Sequence, residues 1–331
     1  MQANWITLSP PSPDLSLLDG QDVVSVLDDC GVLEIAGPDS SKFLQGQLTC
    51  NLQDITPEAS RLGAHCTHQG RMVASFRLLQ CDAARYLFVL PKPTLAGLHA
   101  SLGKYIVFSK AKLRDASQDF LALGLSGSGT TQIVAQLFGA APDEKHSQVL
   151  HDNGIVICID EQSPRYLCLL HSTTAEALWP TIATSTVSTD SHYWQWRNIR
   201  DGIGEVREQT VGEFIPQMLN LQVLDGISFT KGCYTGQEIV ARMQYRGTLK
   251  KSMQRISGAG PAPSPNDALR HAAGEQAAGH VVIAENIDEN RWEGLAVLPR
   301  ENNDEAVQTE TGQAVQLLEL PYSVALPENR K

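Results

Sequence analysis

The sequence predicts an α+β protein that ends in a small antiparallel β-barrel. Three observations carry the prediction. Strand-like and helix-like stretches mix without strict βαβ alternation, which argues against a doubly wound parallel sheet. At 331 residues the chain is too long for one core and suits two or three. From Ser257 the composition turns to Gly, Pro and Ala ("SGAGPAPSPNDALRHAAGEQAAG") and then to short apolar runs. The predicted division is residues 1–250, built as two α+β subdomains, and residues 251–331, the barrel.

The elements follow in order. "VLEIAG" (32–37) reads as a strand feeding a short helix in "PDSSKFLQGQL", with Pro38 in the first helical turn and Phe43 and Leu44 facing inward. "RMVASFRLL" and "RYLFVLP" are rich in β-branched and aromatic residues and form a hairpin that reverses at "QCDAA". Leu95, Leu98, Leu102, Tyr105 and Ile106 repeat at helical spacing after the start signal of Pro93 and Thr94. A second cycle comprises a strand at "FLALGL", a Gly/Ser turn, a helix around Ile133 to Phe138, strands at "GIVICID" and "RYLCLL", and a helix from Thr173 to Thr181. "HVVIAEN", "EGLAVLP" and "AVQLLELP" supply the barrel strands.

Composition excludes several functions. A hydrophobic share of 42% with 19% charged residues is that of a soluble protein, and no window approaches the roughly 20 apolar residues of a membrane span. No membrane association is expected. "MQANWITLSPPSPD" lacks a basic start followed by an apolar run, so the expected location is cytoplasmic. Seven cysteines form no CxxC pair, which reads as buried or reactive thiols in a reducing compartment. A net charge of -11 repels polyphosphate, so no direct nucleic-acid partner is expected. GxGxxG, Walker, GxSxG and HExxH motifs are absent from the sequence.

The richest stretch is "KGCYTGQEIVARMQYRG". Thr235 and Glu238 have the spacing of a capping box, which starts a helix at Gly236, and Tyr234 and Ile239 have that of a hydrophobic staple. Gly247 would end the helix, and Glu238 would pair with Arg242. Cys233 then stands just outside a helix N-terminus with Lys231 two residues away, which predicts a lowered thiol pKa. A small buried hydrophobe in a tight loop is the other reading. In "HCTHQGRM", His65, Cys66 and His68 alternate faces as they enter a strand, so a polar turn fits better than a metal site. Trp194 and Trp196 diverge by about 200° on a helix, so one belongs to a core and the other can line a cleft for a flat aromatic ligand.

Taken together, "FLQGQLTCNL", "HCTHQGRMVASFRL", "KYIVFSKAKL" and above all "FIPQMLNLQVLDGISFTKGCYTGQEIVAR" resemble the YgfZ family of folate-binding proteins, in order and spacing along nearly the whole chain. The family is similar in fold to the T protein of the glycine cleavage system, an aminomethyltransferase. The resemblance implies aminomethyltransferase-like folate-binding domains arranged as a ring, followed by the barrel. It implies tetrahydrofolate, or a derivative, as ligand and support of iron-sulfur client proteins, affecting tRNA modification indirectly. Cys233 carries over as the reactive thiol, with a transient iron-sulfur contact, inside a motif of Lys231, Gly232, Tyr234, Thr235, Gly236, Gln237, Glu238 and Arg242. Trp194 matches one folate-associated tryptophan, whereas Cys30 stands where the family commonly has another.

Relatives commonly read Ile-Glu-Ala-Gly where this chain has "NIRDG". Arg200 replaces the glutamate that would accept the pterin N–H groups, and Asp201 is the candidate substitute. The paired aspartates of aminomethyltransferases fall at Ala74 and Ser75, which removes the carboxylates that would stabilise developing positive charge. A folate-dependent aminomethyltransferase or demethylating enzyme is the first alternative reading, and a non-enzymatic scaffold that binds clients the second.

Overall fold

The computed structural model describes residues 14–245, 249–272, 277–300 and 306–324, and its strands form two open sheets and a closed barrel. In chain order, β1 (Val23–Val26), β2 (Cys30–Ala36), α1 (Ser40–Gln45), β3 (Arg61–Cys66), β4 (Met72–Asp82), β5 (Arg85–Pro91), α2 (Lys92–Gly103) and β6 (Lys112–Asp115) come first. Next are β7 (Phe120–Ser126), α3 (Thr130–Phe138), β8 (Gln148–His151), β9 (Gly154–Asp160), β10 (Arg165–His171), α4 (Ser172–Ala183), β11 (Val187–Thr189) and α5 (Ser191–Arg200). Helix α6 (Gln237–Tyr245) precedes β12 (Lys251–Ala259), β13 (Ala268–His271), β14 (Ala277–Asn286), β15 (Arg291–Pro299), β16 (Val307–Gln308) and β17 (Ala314–Leu318).

The five-stranded sheet runs β3-β4-β5-β2-β6 and the six-stranded sheet β11-β1-β7-β10-β9-β8. Because side chains alternate along a strand, each sheet has two faces to cover. On β4 and β5, Ala74, Phe76, Leu78, Tyr86 and Phe88 pack with α2, while Leu79, Leu87 and Val89 point to the other sheet. On β9 and β10, Val156, Cys158, Tyr166 and Cys168 pack with α3 and α4, while Ile157, Leu167 and Leu169 meet the first sheet. Burial on both faces is why these strands read as continuous apolar runs. Truncating one of the buried leucines to alanine costs about 2–5 kcal/mol.

The barrel closes antiparallel in the order β12-β15-β14-β13-β16-β17. Its Val282, Leu295 and Val297 share a core with Ile199 of α5, Val240 of α6 and Met72 of β4, which ties the barrel to the five-stranded sheet and to both helices. The α+β class and the terminal barrel are therefore as the sequence predicts.

Several local expectations are corrected. Helix α2 stops at Gly103, a weak helix former, so Tyr105 leaves the apolar face and Ile106–Phe108 forms a 3-10 turn. Strand β4 continues through Gln80, Cys81 and Asp82, and the reversal narrows to Ala83 and Ala84, where Asp82 Oδ1 accepts the Ala84 N–H at 2.8 Å. Pro38 precedes α1, because the Asp39 carboxylate accepts from Lys110 N at 2.7 Å and the helix begins at Ser40. His65 and Cys66 belong to β3, so the turn starts only at Thr67. The Gly-rich stretch after Ser257 holds the end of β12 and all of β13; Gly258 is strand because the Trp292 ring fills the space above it. Gly247 lies outside the described residues.

Candidate functional site

Between the sheets lies a cavity that opens to solvent at one side, lined mainly by apolar side chains with a few polar groups among them. The crossover from β1 to β2 contributes Leu27, Asp29 and Cys30; β4 and β5 contribute Arg77 and Val89; β9 and β10 contribute Ile159 and Leu167. Helix α5 adds Trp194, Gln195 and Asn198, and Glu205 follows from the next loop. Trp194 and Cys30, far apart in sequence, thus share one wall.

Trp194 is 6% exposed and packs on β7, where a side chain on Gly124 would come within 2.2 Å of its ring. The Arg165 guanidinium sits 4.1 Å from the ring centroid, a desolvated cation-π contact. Arg165 is fully buried, and burial lowers its pKa despite pairing with Asp201. Asp201 is therefore committed to Arg165 and is not on the cavity wall. Arg200 is turned outward, pairing with Asp19 at 2.7 Å and lying over Trp196. Trp196 joins the separate core of Leu15, Tyr193 and Ile287. The two tryptophans divide as their angular separation requires.

Sequence reasoning missed Asp29, Arg77, Gln195, Asn198 and Glu205. Arg77 donates to His146 Nδ1 at 2.8 Å and to Ser60 Oγ at 3.1 Å. Burial, and then the Arg77 charge, push His146 down to about 2, so its imidazole is a neutral acceptor. Burial raises the Cys30 thiol, with Asp29 adding to the effect. A lone arginine within the apolar run of β4 was the available signal for Arg77; the loop acids had none.

The "KGCYTGQE" motif packs elsewhere, against the β3–β4 turn. Lys231 Nζ donates to the carbonyls of Leu48 and Cys50 at 2.8 and 2.7 Å, and burial lowers its pKa to about 8. Its ammonium holds that backbone and does not turn to Cys233. Tyr234 is buried beneath Lys231, whereas Gly232 and Cys233 are exposed. Helix α6 starts at Gln237, later than the capping box requires, because Gly236, the first helical residue if Thr235 were the cap, takes a left-handed φ of 85°. The Thr235 hydroxyl bonds to Gln47 Oε1 at 3.3 Å. No ion pair joins Glu238 to Arg242 among the described residues, and both side chains are exposed. Cys233 is absent from the cavity wall.

His65 and His68 do not converge. His65 bonds to Gln47 O and Ser101 Oγ, while His68 meets the Tyr105 hydroxyl at 3.2 Å. No cluster of three metal-ligating side chains occurs among the described residues.

Two packed sheets followed by a closed barrel make up an aminomethyltransferase-like fold. The glycine cleavage system aminomethyltransferase T from Bartonella henselae matches it with a TM-score of 0.74 over 92% of this chain and 87% of its own, at 13% identity, which is a likeness of fold. No protein-family profile matches the chain. The tRNA-modifying protein YgfZ of Klebsiella pneumoniae is 32% identical over 304 residues, covering 90% of this chain and 92% of the relative. That of Photobacterium profundum is 36% identical over 308 residues, covering 90% and 91%. The chain belongs to the YgfZ family.

Proposed function

We propose that the protein is a tetrahydrofolate-binding accessory factor, acting in the cytoplasm, that supports assembly or repair of iron-sulfur proteins and through them tRNA modification. The observation that carries the proposal is the convergence of Trp194 and Cys30 on one cavity. These are the two positions that the family resemblance associates with folate. The wall suits such a ligand: Trp194, Leu167 and Val89 offer apolar surface, and Asp29, Glu205 and Asn198 offer polar atoms to a heterocycle. Residues 1–250 would form the folate-binding region and residues 251–331 the barrel.

Cys233 is exposed and off the cavity wall, which favours a thiol that meets a macromolecular client, or a cluster in transit, over one that attacks a buried ligand. Tyr105, Val107 and Phe108 form an exposed apolar ridge, and Tyr105 touches His68 of the turn on which the motif packs. Such a ridge suits client contact. Aminomethyl transfer is less well supported: Ala74 is buried without a carboxylate, and Ser75 Oγ accepts the Val206 N–H at 2.8 Å.

Two measurements test the reading. Tetrahydrofolate should quench tryptophan fluorescence saturably in the wild type, and Trp194→Phe should lose most of that response. Cys233→Ser should fail to restore activity of an iron-sulfur enzyme in cells lacking the protein. Its stability should stay within about 0.5 kcal/mol of wild type, because the side chain is at the surface. Full complementation by the variant would remove the thiol from the function.

A further inference from the structure

One end of the cavity holds two carboxylates with acceptor oxygens to spare. Asp29 Oδ2 accepts from Gln195 Nε2 at 2.9 Å and from Arg207 at 3.4 Å, and Glu205 Oε2 accepts from Arg207 at 3.2 Å. The second oxygen of each, Asp29 Oδ1 and Glu205 Oε1, has no hydrogen-bond partner among the described residues. Beside them stands Asn198, 7% exposed and on the same wall. Its Oδ1 accepts from Arg165 at 2.8 Å. Because a guanidinium can only donate, that bond fixes the amide's orientation and leaves Nδ2 as an unpaired donor. The Asp29 and Glu205 side chains are 33% and 28% exposed, so their free oxygens stand open to a ligand that enters the cavity from solvent.

The set reads acceptor, acceptor, donor. A pterin presents the complement along one edge: an exocyclic 2-amino group, the adjacent N3–H and the 4-oxo oxygen. We infer that Glu205, flanked by Asp29 and Asn198, binds this edge and so takes the place of the family glutamate whose position here is Arg200. The inference rests on the folate reading above. The two adjacent N–H groups match the two free carboxylate oxygens, Glu205 Oε1 and Asp29 Oδ1, each a charge-assisted hydrogen bond. The alternatives are otherwise engaged: Asp201 pairs with buried Arg165, and Arg200 pairs with Asp19. The acids also set the ligand's direction. A folate's glutamate tail is anionic and is repelled from Asp29 and Glu205, so the pterin enters first and the tail points away from them.

The test uses the full chain and two ligands, tetrahydrofolate and its 2-desamino analogue, titrated by tryptophan fluorescence. Glu205→Gln should weaken tetrahydrofolate roughly ten- to a hundredfold, because a charged acceptor is lost. The 2-desamino analogue should bind weakly to the wild type and no worse to the variant. Asp29→Asn should show the same ligand-selective loss in smaller degree, and thermal unfolding of both variants checks that they fold. Unchanged tetrahydrofolate affinity in Glu205→Gln overturns the inference and leaves the folate reading standing. Equal losses for both ligands also overturn it, since they mark a structural role. No binding by the wild type overturns both.

Discussion

Trp194 reaches the cavity wall because Gly124 leaves room for it. A Cβ at Gly124 would lie 2.2 Å from Trp194 Cε3, and the ring cannot retreat toward Arg165, which is held by Asn198 and Asp201. Gly124→Ala is therefore expected to displace the indole into the cavity. The overpacking should cost about 1–3 kcal/mol and weaken tetrahydrofolate binding at least tenfold, read by denaturant unfolding and by fluorescence titration. Gly97 supplies the contrast. It lies within α2 with no atom near the Cβ position, so Gly97→Ala should stabilise the protein by about 0.5–1 kcal/mol through helix propensity alone and leave binding untouched. Opposite signs for one chemical change would place the effect at the tryptophan.

At the scale of elements, the motif is a loop clamped at both ends, and the thiol lies between the clamps. Lys231 anchors one end on the Leu48 and Cys50 carbonyls. Gly236 anchors the other, with φ 85° and the Thr67 carbonyl oxygen 2.5 Å from where a Cβ would stand. Gly236→Ala should lower unfolding free energy by about 1–3 kcal/mol and shift the Cys233 loop, checked by urea denaturation and by the rate of thiol alkylation. A wild-type stability would mean that the turn relaxes freely. The same loop shows where the sequence is legible. Its glycines and buried tyrosine were visible as a helix doorway, but the spacing of Thr235 and Glu238 mimicked a capping box because spacing does not report that Gly236 is left-handed. Long apolar strands such as β5, β7 and β9 were readable from composition. Short β1, β6, β8 and β11 were not, since three or four residues carry no period and are strands only through their partners. Trp194 and Cys30, which line the cavity, were singled out through the family's motifs. Asp29 and Glu205 are loop residues that become a pair only when the β1–β2 crossover folds against the segment after α5.

Over the whole molecule, helix α5 joins the cavity to the barrel, and one titratable contact marks that junction. His192 Nδ1 meets Glu285 Oε2 of β14 at 2.7 Å, two residues before Trp194. The hydrogen bond to Glu285 is the main cause that raises the histidine to about 9 from its usual 6.5, with Asp190 and Asp29 adding to it and desolvation opposing. A raised folded-state pKa stabilises the fold fully below pH 6.5, and that stabilisation is lost as the pH rises through about 9. His192 is 64% exposed, so solvent screening holds the pair to about 0–1 kcal/mol. The expected outcome is a small gap in melting temperature between wild type and His192→Gln at pH 6 that closes as the pH passes 9. The gap should also narrow in high salt, since the pair is near the surface. A gap that persists unchanged at high pH would assign the effect to packing of the imidazole. A loss that follows the titration would show that the hold of the barrel on the tryptophan-bearing helix weakens on the alkaline side.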